Sequence, residues 1–398
     1  TIEEVNEKNK VNMVLFEGDV ILTKEQAHRV MDDLKHDKAK RTKRQAHRSA
    51  TRLWPSGIVY YSFDSTDTTK RLFKKASDAW SRDTCVEFKE DDKASDRVVV
   101  HETLGCVSHI GKVGGKQKIY LGQLCESIGY VAHEIGHTLG LFHTQSRPDR
   151  DEYVRVVVEN IRKDFVSQFR VQSEDVVNNY DLPYEYGSIM HYSARSASKS
   201  HEPSVIPYDV NYLETLGSPM ISFYDKLMIN HHYGCLEKCK KKRSADCQNG
   251  GFPHPRDCSK CVCPSGYGGK YCNEKPNGCG AVLRAKTSFQ TLTDIVGQPE
   301  YNPGHHNDEF IWCYYWIKAP TGSTIEVKFD DYTKHGYSDG CKDSGVEIKT
   351  GNDKRSTGYR QEFCDDRLAG TALNSTFNIV PVITYGRFDR RTTVLSYR

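Results

Sequence analysis

No run of about eighteen apolar residues occurs in the 398-residue chain, so it offers no candidate membrane-spanning helix. Nor is there a surplus of one charge: 56 lysines and arginines face 53 aspartates and glutamates, a formal balance of +3 spread along the length. That balance carries no electrostatic footprint for nucleic acid. The short basic run KCKKKR ending at Arg243 reads as a solvated linker rather than a binding patch. Internal repeats are absent, which argues against solenoid and array architectures. The chain also lacks an initial methionine and an apolar signal segment; a secreted protein whose signal peptide has been removed fits this, and a fragment would look the same.

What is present begins with length. A chain of 398 residues is long for a single core, and roughly two to four domains are expected. Cysteine narrows the compartment: the 14 residues are even in number and dense from Cys235 onward, as in extracellular modules that rely on disulfides. Residues 1–44 are polar, contain no cysteine, include the helix-prone TKEQAHRVMDDLKHDKAK and end in RTKR. That ending is either a proprotein-convertase site, cut after Arg44, or a charged exposed linker. From Leu53 to Tyr233 β-rich runs (GIVYYSF, RVVVHE, KIYLG) alternate with helical patterns (TTKRLFKKASDAWSRD, IGYVAHEIGHTLGLFH), which reads as an α/β unit. Six cysteines fall between 239 and 272, and from Cys279 short strands such as CYYWIKAP and STIEVKF suggest an antiparallel sandwich.

HEIGHTLGLFH, residues 133–143, carries the chemistry. His133 and His137 are four apart, on one face of a helix, and can aim ring nitrogens at one ion. Catalytic zinc commonly takes three protein ligands; Gly140 can turn the chain at the helix end so that His143 returns with the third. Glu134 cannot easily ligate beside His133 but can reach a zinc-bound water, accept its proton as it attacks a peptide carbonyl, and pass the proton to the departing amine. A solvated helix face would leave Gly140 and His143 as coincidences, whereas the extended spacing is the metzincin pattern. Downstream, YGSIMHYSA supplies a methionine turn: Met190 would floor the ligands, and Tyr192 could reach the ion.

On HEIGHTLGLFH, the following RPDRDEYV and SIMHY, the chain resembles the astacin family of zinc metalloendopeptidases over nearly its whole length. The resemblance implies a multidomain α+β protein. A propeptide (1–44) precedes a metzincin-type catalytic domain of mixed sheet plus active-site helix (45–237), a small EGF-like module (238–273) and an all-β CUB sandwich (279–398). It implies one zinc per chain, Tyr192 as a fifth ligand that swings to hold the transition state, and Asp19, in FEGDV, as a zymogen switch that takes the water's place. It further implies disulfides Cys85–Cys235, Cys106–Cys125, Cys239–Cys258, Cys247–Cys261, Cys263–Cys272, Cys279–Cys313 and Cys341–Cys364. The sequon at Asn374 would carry a surface glycan. The module order is similar to that of nematode hatching and moulting enzymes, implying matrix, cuticle or eggshell proteins as partners; a proprotein convertase as activator rests on RTKR alone.

Two departures matter. Many astacins place a glutamate after the third histidine, to be buried against the new N-terminus; this chain has Thr144. Activation is therefore expected to depend on removing Asp19 rather than on seating a terminus at Gln45. In the CUB region Ser344 stands where calcium-binding members have an aspartate, with Asp343 one place early, which argues against calcium while Asp330, Asp331 and Asp343 leave it open. Astacins tend to favour an acidic side chain after the scissile bond; Arg195 or Lys199 could supply the matching charge or could be surface residues. The competing function is an inert matrix-adhesion protein acting through its CUB and EGF-like modules, and the joint presence of His133, Glu134, His137, His143 and Tyr192 speaks against it.

Overall fold

The computed structural model describes residues 1–35, 46–47, 49–103, 105–172, 177–240, 243–298, 308–332, 339–361 and 370–398. Arg44 and Cys364, named above for activation and for a disulfide, lie outside them. The chain starts with α1 (Ile2–Lys8), whose first turn is closed by a Thr1/Glu4 capping box. Strand β1 (Val20–Ile21) and helix α2 (Lys24–Lys35) follow. Asn6 ties this segment down: its Nδ2 donates to the carbonyls of Gly18 and Cys106, 2.8 Å each, and its Oδ1 accepts from the Cys106 amide at 2.7 Å.

Next come β2 (Ala46–His47), β3 (Ile58–Asp64), α3 (Asp67–Arg82), β4 (Glu87–Glu90), β5 (Arg97–His101), β6 (Cys106–His109), β7 (Lys116–Leu121) and α4 (Ile128–Thr138). Six strands form one mixed sheet, ordered β1-β6-β7-β5-β3-β4, in which the β6–β7 pair is antiparallel and the other pairs are parallel. Burial of Leu72, Ala76 and Trp80 at i, i+4 and i+8 seats α3, and the Trp80 indole donates to the Ala132 carbonyl of α4 at 2.9 Å. In α4 nine of eleven residues are buried, so its polar side chains must find partners inside the protein.

Between 139 and 222 the described residues hold little regular structure. Side chains take over the bonding there: buried Arg147 pairs with Asp149 at 2.9 Å and donates to the carbonyls of Leu182 and Pro183, while Arg150 donates to those of Gln145 and Phe169. Helix α5 (Phe223–His232) begins with a Ser222/Asp225 capping box.

The cysteine-rich unit is a hairpin of Phe252–His254 and Asp257–Val262 with disulfides Cys239–Cys258, Cys247–Cys261 and Cys263–Cys272. The unit built on the mixed sheet carries Cys85–Cys235 and Cys106–Cys125, and Cys279–Cys313 opens the C-terminal sandwich. That sandwich packs a five-stranded on a four-stranded sheet over Ile317, Phe329, Val346, Val382 and Leu395. The expected all-antiparallel pairing needs one correction: Val282–Arg284 runs parallel to Ile311–Lys318. The cause is local, because Cys279 is bonded to Cys313 and its carbonyl accepts from the Tyr314 amide, which fixes the entry direction.

Candidate active site

Helix α4 ends in a way that builds the site. The Leu141 amide donates to the Gly136 carbonyl and the Gly140 amide to that of His137, with Gly140 at φ +107, a Schellman-type termination that sends the chain back toward the helix. His143 then faces His133 and His137. Their Nε2 atoms converge: 3.1 Å from His133 to His137 and 3.1 Å from His133 to His143.

The outer nitrogens determine what these inner ones can do. Nδ1 of His133 lies 2.7 Å from the Ile189 carbonyl, Nδ1 of His137 2.8 Å from that of Leu141, and Nδ1 of His143 2.8 Å from the Glu17 carboxylate. Carbonyls only accept, so the Nδ1 of His133 and of His137 donates, and the Nε2 of each is left with a lone pair aimed at the common centre. Asp19 closes the fourth side, its Oδ2 3.1 Å from His143 Nε2 and 3.3 Å from His133 Nε2, its Oδ1 3.5 Å from His137 Nε2. Tetrahedral zinc with bonds of about 2.0–2.1 Å requires ligand atoms about 3.3 Å apart. The donor set and spacing fit that ion.

Charge follows from burial and neighbours. Burial pushes the Asp19 carboxyl up, but His143 and His137 outweigh it and hold the group well below the usual carboxylate range. Burial would lower His143, yet Asp19 and Glu17 on either side raise it to about 10. Glu134 is fully buried, neither of its oxygens has a hydrogen-bond partner among the described residues, and burial plus the like charge of Asp19 push its carboxyl well above the ordinary value.

Met190, fully buried, lies under α4: a Cβ at Gly136 would stand 2.5 Å from its sulfur, so the glycine between the first two histidines is needed for this packing. The turn is fixed from outside. Asp225 accepts from the Ser188 hydroxyl at 2.6 Å and the Ile189 amide at 2.9 Å, and Thr144 donates its hydroxyl to Ser188 and its amide to the Met190 carbonyl, 2.9 Å each. The Tyr192 hydroxyl donates to the Glu17 carbonyl, and its ring lies 4.8 Å from that of His143.

The remaining expected residues are dispersed. Arg195 is engaged by two carboxylates, Glu214 at 3.2 Å and Asp339 at 3.0 Å, and Lys199 is exposed. Asn374 is exposed at the end of a strand. Asp343 is held by Arg387, Asp330 accepts from Ser396 and Asp331 from the Tyr332 amide. Sequence reasoning missed Glu17, Gly136, Ser188 and Asp225. Of these, Glu17 sits beside Asp19 in FEGDV, and Ser222 to Asp225 has the spacing of a capping box.

Residues 46–234 match the family model described as astacin, a peptidase family. Zinc metalloproteinase nas-31 of Caenorhabditis elegans is 40% identical over 409 residues, covering 100% of this chain and 65% of that protein. Zinc metalloproteinase nas-25 of the same organism is 36% identical over 373 residues, covering 90% of this chain and 91% of that one. The chain thus spans 65% and 60% of the length of nas-31 and nas-32, two of the curated relatives it matches. High choriolytic enzyme 1, a hatching enzyme zinc-protease from Oryzias latipes, is similar at 30% identity and a TM-score of 0.42, covering 47% of this chain and 92% of that structure.

Proposed function

The chain belongs to the astacin family of zinc metalloendopeptidases, and from that membership we propose that it is a secreted endopeptidase, held latent by its first 44 residues, that cleaves extracellular matrix, cuticle or eggshell proteins. One observation carries the reading: His133 Nε2 lies 3.1 Å from the Nε2 of both His137 and His143, beside Glu134, a fully buried carboxylate that has no hydrogen-bond partner among the described residues. His133, His137 and His143 would hold one zinc ion, which supplies a Lewis acid that acidifies water and polarises a carbonyl. Glu134 takes the proton of the attacking water and delivers it to the departing amine. Tyr192, released from the Glu17 carbonyl when the prosegment leaves, turns its hydroxyl toward the developing oxyanion. The edge of β6, now paired with β1 through Val20 and Ser108, becomes available to an extended substrate strand.

Latency rests on Asp19 among the histidines, and release follows cleavage after Arg44 by a proprotein convertase. Thr144 supports the view that a new terminus is not the trigger. It is engaged with the methionine turn, and Ala46 and His47 are already buried against Asn178, Val177 and Leu141 with the prosegment in place. The cysteine-rich and sandwich units act as EGF-like and CUB modules that position the peptidase on matrix. An inert adhesion protein would have no use for the buried Glu134 beside a complete ligand set. The test is casein cleavage by the chain cut after Arg44: chelator should abolish it and zinc restore it, whereas chelator-resistant cleavage would overturn the reading.

A further inference from the structure

The cleft is not built by the catalytic unit alone. The pocket that reaches His133 and Tyr192 is also lined by Glu3 of α1, Tyr130 of α4 and Lys342 of the C-terminal sandwich. Tyr130 precedes His133 by three residues, on the same helix face, and its hydroxyl lies 3.4 Å from Lys342 Nζ. A sandwich lysine therefore meets the side chain that lies one helical turn before a metal ligand and lines the same pocket as that ligand.

Its loop is clamped there. Asp339 accepts from Ser193, the residue after Tyr192, at 3.2 Å and from Arg195 at 3.0 Å. Gly340 takes φ +78 against Gly217, where a Cβ would come within 2.2 Å of the Gly217 carbonyl oxygen. Arg195, with Lys199 one of the two candidate cations for substrate selection, has its charge matched by Glu214 and Asp339 in this joint. Burial opposes the charge on Lys342, and Tyr130, Asp339 and Glu3 around it outweigh burial, so the ammonium is retained. Glu3, only 3% exposed, brings a prosegment carboxylate into the same pocket.

We propose that Lys342 is a specificity-determining residue supplied by the sandwich, receiving an acidic side chain of the protein substrate in the pocket that Glu3 shares in the latent chain. This rests on the peptidase reading. The test uses the full chain cut after Arg44, with peptide pairs carrying Asp or the isosteric Asn at each position flanking the scissile bond. The wild type should favour Asp by about ten-fold in kcat/KM at one position, the scale of one hydrogen bond to a charged group. Lys342→Gln and Lys342→Glu should remove that ratio, and Lys342→Arg should keep it. A lysine that merely braced the joint would change both peptides alike and leave the ratio intact. An unchanged ratio in Lys342→Gln, or no acid preference in the wild type, overturns the proposal while the peptidase reading stands. Failure of the wild type to cleave either peptide overturns both.

Discussion

His143 illustrates how single side chains set the site: its ring is held by Glu17 on one nitrogen and faces Asp19 with the other. In the proposed activation both carboxylates would leave with the first 44 residues. Asp19→Ala removes the group that closes the ligand set, so the uncut chain should gain peptide-cleaving activity by about 10- to 100-fold, the scale of one or two contacts to charged groups. A fluorogenic-peptide assay on intact chains checks this, and silence of the uncut variant would place latency elsewhere. The histidines and Glu134 were legible from spacing along a helix, and Asp19 only through the family resemblance of FEGDV. Glu17 and Asp225 were not, because their partners lie 126 and 37 residues away and only the fold brings them together.

Among the elements, α3 and the central strands could be read from periodicity, since each buries one regular face. The stretch from 139 to 222 could not, because it is held by Arg147 and Arg150 donating to loop carbonyls, which leaves no repeating pattern. The end of α4 is the exception, being marked by one glycine. Gly140 sits at φ +107, and a Cβ there would lie 2.8 Å from the His232 ring. Gly140→Ala should therefore cost about 1–2 kcal/mol in backbone strain before the clash is counted. Because it displaces His143, zinc affinity should fall with stability; a zinc titration beside a melting curve checks both, and unchanged affinity would contradict this account of the turn.

At the scale of the whole molecule, the sandwich is joined to the catalytic unit through buried polar groups. Glu185 accepts from its own Gly187 amide and from the Thr357 amide of the sandwich, and burial, with a small addition from Asp225, raises its carboxyl from 4.5 to about 7 despite Lys349 nearby. Between those values the folded chain keeps a proton that the unfolded chain has released, so this group's contribution is complete below pH 4.5 and is lost as pH rises to 7. The loss is up to about 3 kcal/mol, and Glu185→Gln should flatten it, seen as a smaller difference in Tm between acid and neutral buffer. Arg360, paired with buried Glu347 at 3.1 Å and bonded to Ser218 across the joint, is a second test. Arg360→Ala should cost about 3–5 kcal/mol by stranding that carboxylate, measured by denaturant unfolding. None of this joint was visible in the sequence, where 185, 218 and 360 carry no shared motif. The central claim, that Glu134 beside a three-histidine zinc site makes this chain a peptidase, is tested most directly by comparing peptide cleavage in wild type and Glu134→Gln. Both chains would be cut after Arg44 and loaded with one zinc. The account expects equal zinc content and a loss of about 10²–10⁴ in kcat for the variant; equal cleavage by the two chains would contradict it.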